Sequence, residues 1–242
     1  MDNTDSDHKQ TSVPPATHAA LRISGAALAL STALWAYLVY AAPLDHIQGL
    51  IQKILYVHVP CWFAAYAGFA LTAVCGALYL WQNDERFDRV AVAGAEVGVL
   101  FCTLGLVTGP IWAKGTWGHW WTWDPRLTMT LVLWFIYLAY LLLRSFTEGS
   151  TRTARFASVY AIAGLAAVPL NYLAIDLFGG AALHPDNLER GSLGAGMGWP
   201  FAVGVFTGFL ALVYLVLLRV DLESRRITAS PSAAEWDNDE GF

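Results

Sequence analysis

Between Trp112 and Arg126 the chain reads W-A-K-G-T-W-G-H-W-W-T-W-D-P-R and holds five of its eleven tryptophans, Trp112, Trp117, Trp120, Trp121 and Trp123. Indole presents a large, rigid apolar face with a single N–H at its edge. Tryptophan also gathers where a membrane meets water, but such a belt spreads its rings over many helices. This cluster, spaced by Gly115 and Gly118, is better suited to a shelf for a flat, mostly apolar, aromatic ligand.

Two histidines flank the cluster in sequence, His58 in Y-V-H-V-P and His184 in A-L-H-P-D. Alone, His58 reads as a neutral imidazole bonded to a backbone carbonyl, and His184 as an ordinary loop residue. Together with the indoles they suggest haem, which needs an axial nitrogen on one or both faces and an apolar wall. Haem propionates also seek cations at the aqueous rim, where guanidinium binds carboxylate as a fork. Lys53, Lys114, Arg126 and Arg190 could each serve, and Arg126, which ends the Trp segment, is the first choice. A zinc site is disfavoured because no close His or Cys pair has ligand spacing. His119, inside the segment, could compete as a ligand. Asp124–Pro125 is also a good helix start, with Asp as cap and Pro in the first turn.

The elements that must position these groups are apolar runs bounded by charge. They are 23–44, 54–83, 90–113 (interrupted by Glu96), 127–143, 156–175 and 191–218. Each is long enough to cross a hydrocarbon core of about 30 Å as a helix. Composition agrees: the chain is 56% hydrophobic and 14% charged, with a mean hydropathy of +0.46. These values exclude a disordered chain, a nucleic-acid binder and an ordinary cytosolic enzyme. The net charge of −5 owes much to the acidic ends, Asp2, Asp5 and Asp7, and Glu235, Asp237, Asp239 and Glu240. The fold expected is all-α: a polytopic integral membrane protein of six transmembrane helices, with the Trp-rich loop between helices three and four.

Six spans put both termini on one side. Lys9, Arg22, Arg86, Arg89, Arg144, Arg152, Arg155, Arg219, Arg225 and Arg226 share that side, against Lys53, Lys114, Arg126 and Arg190 on the other. The positive-inside rule makes the first side cytoplasmic. The organisation expected is a cytoplasmic tail over 1–21, a membrane domain over 22–219 with its Trp loop at 112–126, and a cytoplasmic tail over 220–242. The first apolar run is expected to anchor the chain rather than be cleaved.

Other residues carry weaker signals. Glu96, inside the third run, is either part of a proton path or a carboxylate bonded to a neighbouring helix. Gly94, Gly98, Gly105 and Gly109 suit close helix packing. Cys61, Cys75 and Cys102 form no C-x-x-C and read as small packing residues. No phosphate-binding loop is present, so an ATP-driven process would need a separate subunit. Gly191–Gly198 suggests a flexible lead into the sixth span.

The segment W-G-H-W-W-T-W-D-P-R resembles the WWD signature of haem-handling membrane proteins. With six spans, this length and a histidine in each flanking outward segment, the chain resembles the heme exporter protein C family (CcmC) of cytochrome c-type biogenesis from about residue 20 to 220. The resemblance implies that His58 and His184 are the two axial ligands of haem iron. It implies that the WWD loop (Trp117, Gly118, Trp121, Trp123 and Asp124, with Trp120 and Arg126 alongside) supports the porphyrin. The cofactor implied is haem b, bound transiently at the periplasmic face of a bacterial inner membrane, with membrane lipid around it and no nucleic acid. The partners implied are a periplasmic haem chaperone (the E component), ABC-type A and B components, and a small D membrane subunit. The leading expectation is therefore a haem-binding and delivery factor, not an enzyme. A transporter moving haem across the inner membrane ranks second, and a quinol-linked b-type cytochrome third.

Overall fold

The computed structural model describes residues 15–146, 150–178 and 193–229, and the described residues contain helices and no strand. The helices are α1 (Pro15–Ala41), α2 (Leu55–Gln82), α3 (Glu85–Trp117), α4 (Pro125–Ser145), α5 (Thr151–Gly164), α6 (Ala167–Tyr172), α7 (Ala174–Phe178) and α8 (Gly198–Ala229). A short 3-10 turn, Leu50–Ile54, leads into α2. Six helical stretches are long and apolar enough to cross a membrane, with α5 and α6 together forming the fifth.

The bundle is built around the antiparallel pair α2 and α3. Gly68 of α2 lies against Gly94 and Gly98 of α3, where a Cβ on Gly68 would stand 2.9 Å from Gly94 O and 3.0 Å from Gly98 Cα. Small residues let backbones approach this closely, which is how helices associate in lipid. Phe69 stacks on Tyr137 of α4 at 3.7 Å between ring centroids. Both rings are fully buried, with Ala64, Ala65, Cys102 and Leu133 around them.

At the end of the bundle opposite the Trp segment, ion pairs tie the helices together. Asp88 of α3 meets Arg144 of α4 at 2.6 Å. Glu96 of α3 meets Arg219 of α8 at 2.6 Å, and Arg219 also meets Glu223 at 2.9 Å. Of the two roles open to Glu96 in the sequence, the structure shows a bond to a neighbouring helix.

Several expected boundaries are corrected. The fifth run is not one continuous helix over 156–175. Pro169 has no N–H to donate to Leu165 O, and that carbonyl accepts from Val168 N at 3.0 Å instead. The chain breaks after Gly164 and again at Leu173. The sixth helix starts at Gly198, at the end of the expected Gly-rich lead, but runs beyond 218 because Arg219–Glu223 and Asp221–Arg225 pairs brace its polar continuation. The first helix starts at Pro15, inside the expected tail, and ends at Ala41, since Pro43 disfavours helix in the residue before it. The expected Trp loop is helical up to Trp117, so the loop proper is 118–124.

Candidate functional site

The Trp segment is folded by its own ends. Gly118 stops α3 in the left-handed region (φ 78°), where its N–H donates to Lys114 O at 3.2 Å. Only glycine enters this region without strain. Asp124 caps α4: its Oδ1 accepts from Leu127 N at 2.9 Å, its Oδ2 from the Thr122 hydroxyl at 3.2 Å, and Pro125 takes the first helical position. Asp124 is buried in this role.

Beneath the loop lies a cavity of about 350 Å³, within the range of small-molecule sites. Its lining includes His58 and Trp62 from α2, Trp112 and Trp117 from α3, Trp121 from the loop, and Arg126 from α4. The residues named from sequence thus separate. His58, Trp117, Trp121 and Arg126 meet at one cavity. Trp120 and Trp123 are 59% and 75% exposed and do not line it. Gly118 and Asp124 shape the loop, and His46 and His119 are exposed outside the cavity. His184 and Arg190 lie outside the described residues.

His58 sits in the first turn of α2, 6% exposed. Two glycines one helical turn apart on α3 receive it and its neighbour. A Cβ on Gly109 would stand 3.0 Å from His58 Cε1, and one on Gly105 would stand 2.6 Å from Trp62 Cε2. The Trp62 and Trp112 rings meet the imidazole edge-on at centroid distances of 6.0 and 5.8 Å. Trp112 is held in turn by Gln48, whose Oε1 accepts its indole N–H at 2.8 Å.

The bonds at His58 fix its tautomer. Trp62 Nε1 lies 3.1 Å from His58 Nε2, and indole nitrogen can only donate. Nε2 therefore carries the lone pair. The proton is on Nδ1, which donates to Thr108 Oγ1 at 2.9 Å, while the Thr108 hydroxyl donates to Leu104 O at 2.8 Å. A neutral imidazole with one nitrogen anchored by a hydrogen bond and the other basic is the state that ligates a metal.

Polar and charged side chains also line the cavity, among them Asp45, Gln48, Gln52, Thr130 and Asn171. Lys53 Nζ donates to Val39 O and Tyr40 O at 2.8 and 3.1 Å, capping the end of α1. Lys114 Nζ donates to Gly118 O at 2.9 Å. Among the described residues, Arg126 is the one Lys or Arg that lines the cavity. It donates through one terminal nitrogen to Tyr172 O at 3.0 Å, while its buried Nε has no partner. Gln52 Oε1 and Trp121 Nε1, also buried and lining the cavity, lack partners too. Native proteins rarely leave such groups unsatisfied, and a polar-edged ligand would satisfy them. Below Arg126, Asn171 of α6 accepts from the Tyr66 hydroxyl at 2.5 Å and donates to Thr130 Oγ1 at 2.9 Å. Among the described residues, no group of three His, Cys, Asp or Glu could hold a bare metal ion.

Thr108, Trp62, Gln52 and Asn171 were not singled out from sequence. The spacing of His58 and Trp62, matched by that of Gly109 and Gly105, was a usable signal. The partners of Asn171 lie on two other helices and gave none.

Six helices apolar enough to cross a membrane, with an indole-walled cavity between α2, α3, α4 and α6 that holds a metal-competent histidine and a guanidinium, define a multi-pass membrane protein. The chain matches the family model for Heme exporter protein C over residues 8–234 and belongs to that family. It is 36% identical over 190 residues to Heme exporter protein C of Haemophilus influenzae, covering 75% of each chain. It is 32% identical over 216 residues to the Paracoccus denitrificans protein of the same name, covering 86% of this chain and 87% of that one. It is 31% identical over 200 residues to the Escherichia coli counterpart, covering 81% and 79%.

Proposed function

We propose that this protein binds haem at the periplasmic face of the bacterial inner membrane and delivers it to a periplasmic haem chaperone during cytochrome c maturation. Haem here is cargo, haem b held for a time and then passed on. His58 and His184 are its axial ligands. Trp117 and Trp121 wall the porphyrin, with Trp120 and Trp123 at the outer edge, Gly118 and Asp124 holding the loop in shape, and Arg126 binding a propionate. The membrane domain, 22–219, binds and positions. It performs no covalent chemistry, which belongs to the chaperone and the cargo, and energy for release comes from separate ABC-type A and B components with a small D subunit. The observation that carries this reading is His58: a neutral imidazole, anchored through Nδ1, with its basic Nε2 at the wall of a cavity lined by three indoles of the Trp segment, Trp112, Trp117 and Trp121, and one guanidinium. Family membership agrees with it.

The test is an absorption spectrum of detergent-purified protein. Wild type is expected to show a Soret band, His58→Ala and His184→Ala to lose it, and His119→Ala to keep it. Full haem content in either flanking variant overturns the ligand assignment.

A further inference from the structure

We propose that Trp62 competes with haem iron for His58 and thereby hastens release of the cargo; this rests on His58 being an axial ligand. A neutral imidazole has one basic nitrogen with one lone pair. In this structure the Trp62 indole N–H holds that lone pair at 3.1 Å. An iron–nitrogen bond needs the same lone pair, so the two states exclude each other. Haem binding requires the indole to move off Nε2. Trp62 borders the cavity and packs against Gly105 on its other side, so its room to move lies toward the cavity.

The exchange balances without redox chemistry. On release the iron–Nε2 bond breaks, the electron pair stays on nitrogen, and Nε2 accepts the indole hydrogen bond. The proton remains on Trp62 Nε1 throughout. Thr108 holds Nδ1–H in both states, so the ring need not reorient. A bare imidazole in an apolar cavity would lose hydrogen bonding as haem left. The indole replaces it at once, which lowers the cost of letting go. A carrier that hands haem on needs such an exit, whereas a permanent haem protein does not.

Trp62→Phe keeps an aromatic ring and removes the donor. Gly105→Ala keeps the indole and displaces it, since the new Cβ would stand 2.6 Å from Trp62 Cε2. Two measurements on the full chain in detergent decide the matter. In haem-free protein, carbethoxylation of His58 by diethylpyrocarbonate, mapped by peptide mass spectrometry, is expected to be several-fold faster in both variants. In haem-loaded protein, transfer to apomyoglobin is expected to be about fivefold slower, roughly the worth of one neutral hydrogen bond. If Trp62→Phe does not fold, Gly105→Ala alone decides. Wild-type rates in both measurements overturn the proposal. Faster carbethoxylation with unchanged transfer also overturns it, because the indole is then only a structural cap. A Soret band that survives His58→Ala would instead refute the ligand assignment itself.

Discussion

Gly109 of α3 leaves space that the His58 imidazole of α2 fills, with only 3.0 Å between an ideal Cβ at Gly109 and His58 Cε1. This contact is tighter than ordinary van der Waals packing, and both partners are backed by helix. Gly109→Ala is therefore expected to tilt the imidazole and weaken haem binding about tenfold, while Gly109→Val abolishes it. Haem titration followed at the Soret band measures both. Wild-type affinity in Gly109→Ala would mean that the ring has slack or that His58 is not the ligand.

Thr108 sets which nitrogen is basic. Its oxygen accepts the Nδ1 proton because its own hydroxyl proton is committed to Leu104 O. Thr108→Val keeps the shape and removes the acceptor. The expected result is a several-fold loss of haem affinity, in line with orienting partners at other metal-bound histidines. Thr108→Ser, which keeps the acceptor, is expected to retain most of it. Equal losses in the two variants would point to packing instead.

Asp124 separates capping from ligand contact. Its carboxylate accepts from Leu127 N and Thr122 and does not line the cavity. Asp124→Asn preserves a good cap, so folding and haem content are expected to stay near wild type. Asp124→Ala is expected to cost about 1 kcal/mol of stability and to lower haem content through loop disorder. Thermal melts in detergent with parallel spectra test the pair. Loss of haem in Asp124→Asn, with no change in the melt, would show a direct role for the charge.

The membrane spans were legible because apolar runs bounded by charge are dictated by bilayer thickness. What such runs hide is local. Pro169 stands in the fifth run, but run length alone does not register a missing donor, so the break into α5 and α6 is not legible from it. The last helix outran its apolar residues because its charges pair one turn apart. In the Trp segment, residue type marked the site but not the side each ring faces. Trp117 points into the cavity from the last turn of α3, whereas Trp123, next to the cap, points away. The tautomer of His58 could not be read at all, since Trp62 shares its helix but Thr108 reaches it from α3.

The Glu96–Arg219 pair predicts an asymmetry. Arg219 serves two carboxylates, Glu96 at 2.6 Å and Glu223 at 2.9 Å. Glu96→Leu leaves Arg219 with Glu223. Arg219→Leu leaves two carboxylates facing each other beside apolar helix. The arginine variant is expected to be the less stable by about 1 kcal/mol, a modest figure because both side chains keep partial exposure. Melting temperatures compare them. Equal losses would mean the pair is no more than a surface contact.

Arg126 offers the sharpest test of how the cargo lies. Its Nε is buried without a partner while a terminal nitrogen is tied to Tyr172 O, so the side chain is held at the cavity's edge with donor capacity to spare. If that capacity meets a propionate, the interaction is a charge-assisted hydrogen bond, worth about 1.5 to 3 kcal/mol, or roughly 10- to 100-fold in affinity. Arg126→Ala is expected to weaken haem binding by that much. The same substitution would also disturb the ends of α4 and α6, and haem affinity alone does not distinguish the two effects. Haem dimethyl ester does, because its propionates are blocked. Wild type should bind the ester more weakly than haem, and Arg126→Ala should bind both alike. If Arg126→Ala weakens the ester as strongly as it weakens haem, the guanidinium is holding the helices and not the cargo, and the propionates must point elsewhere.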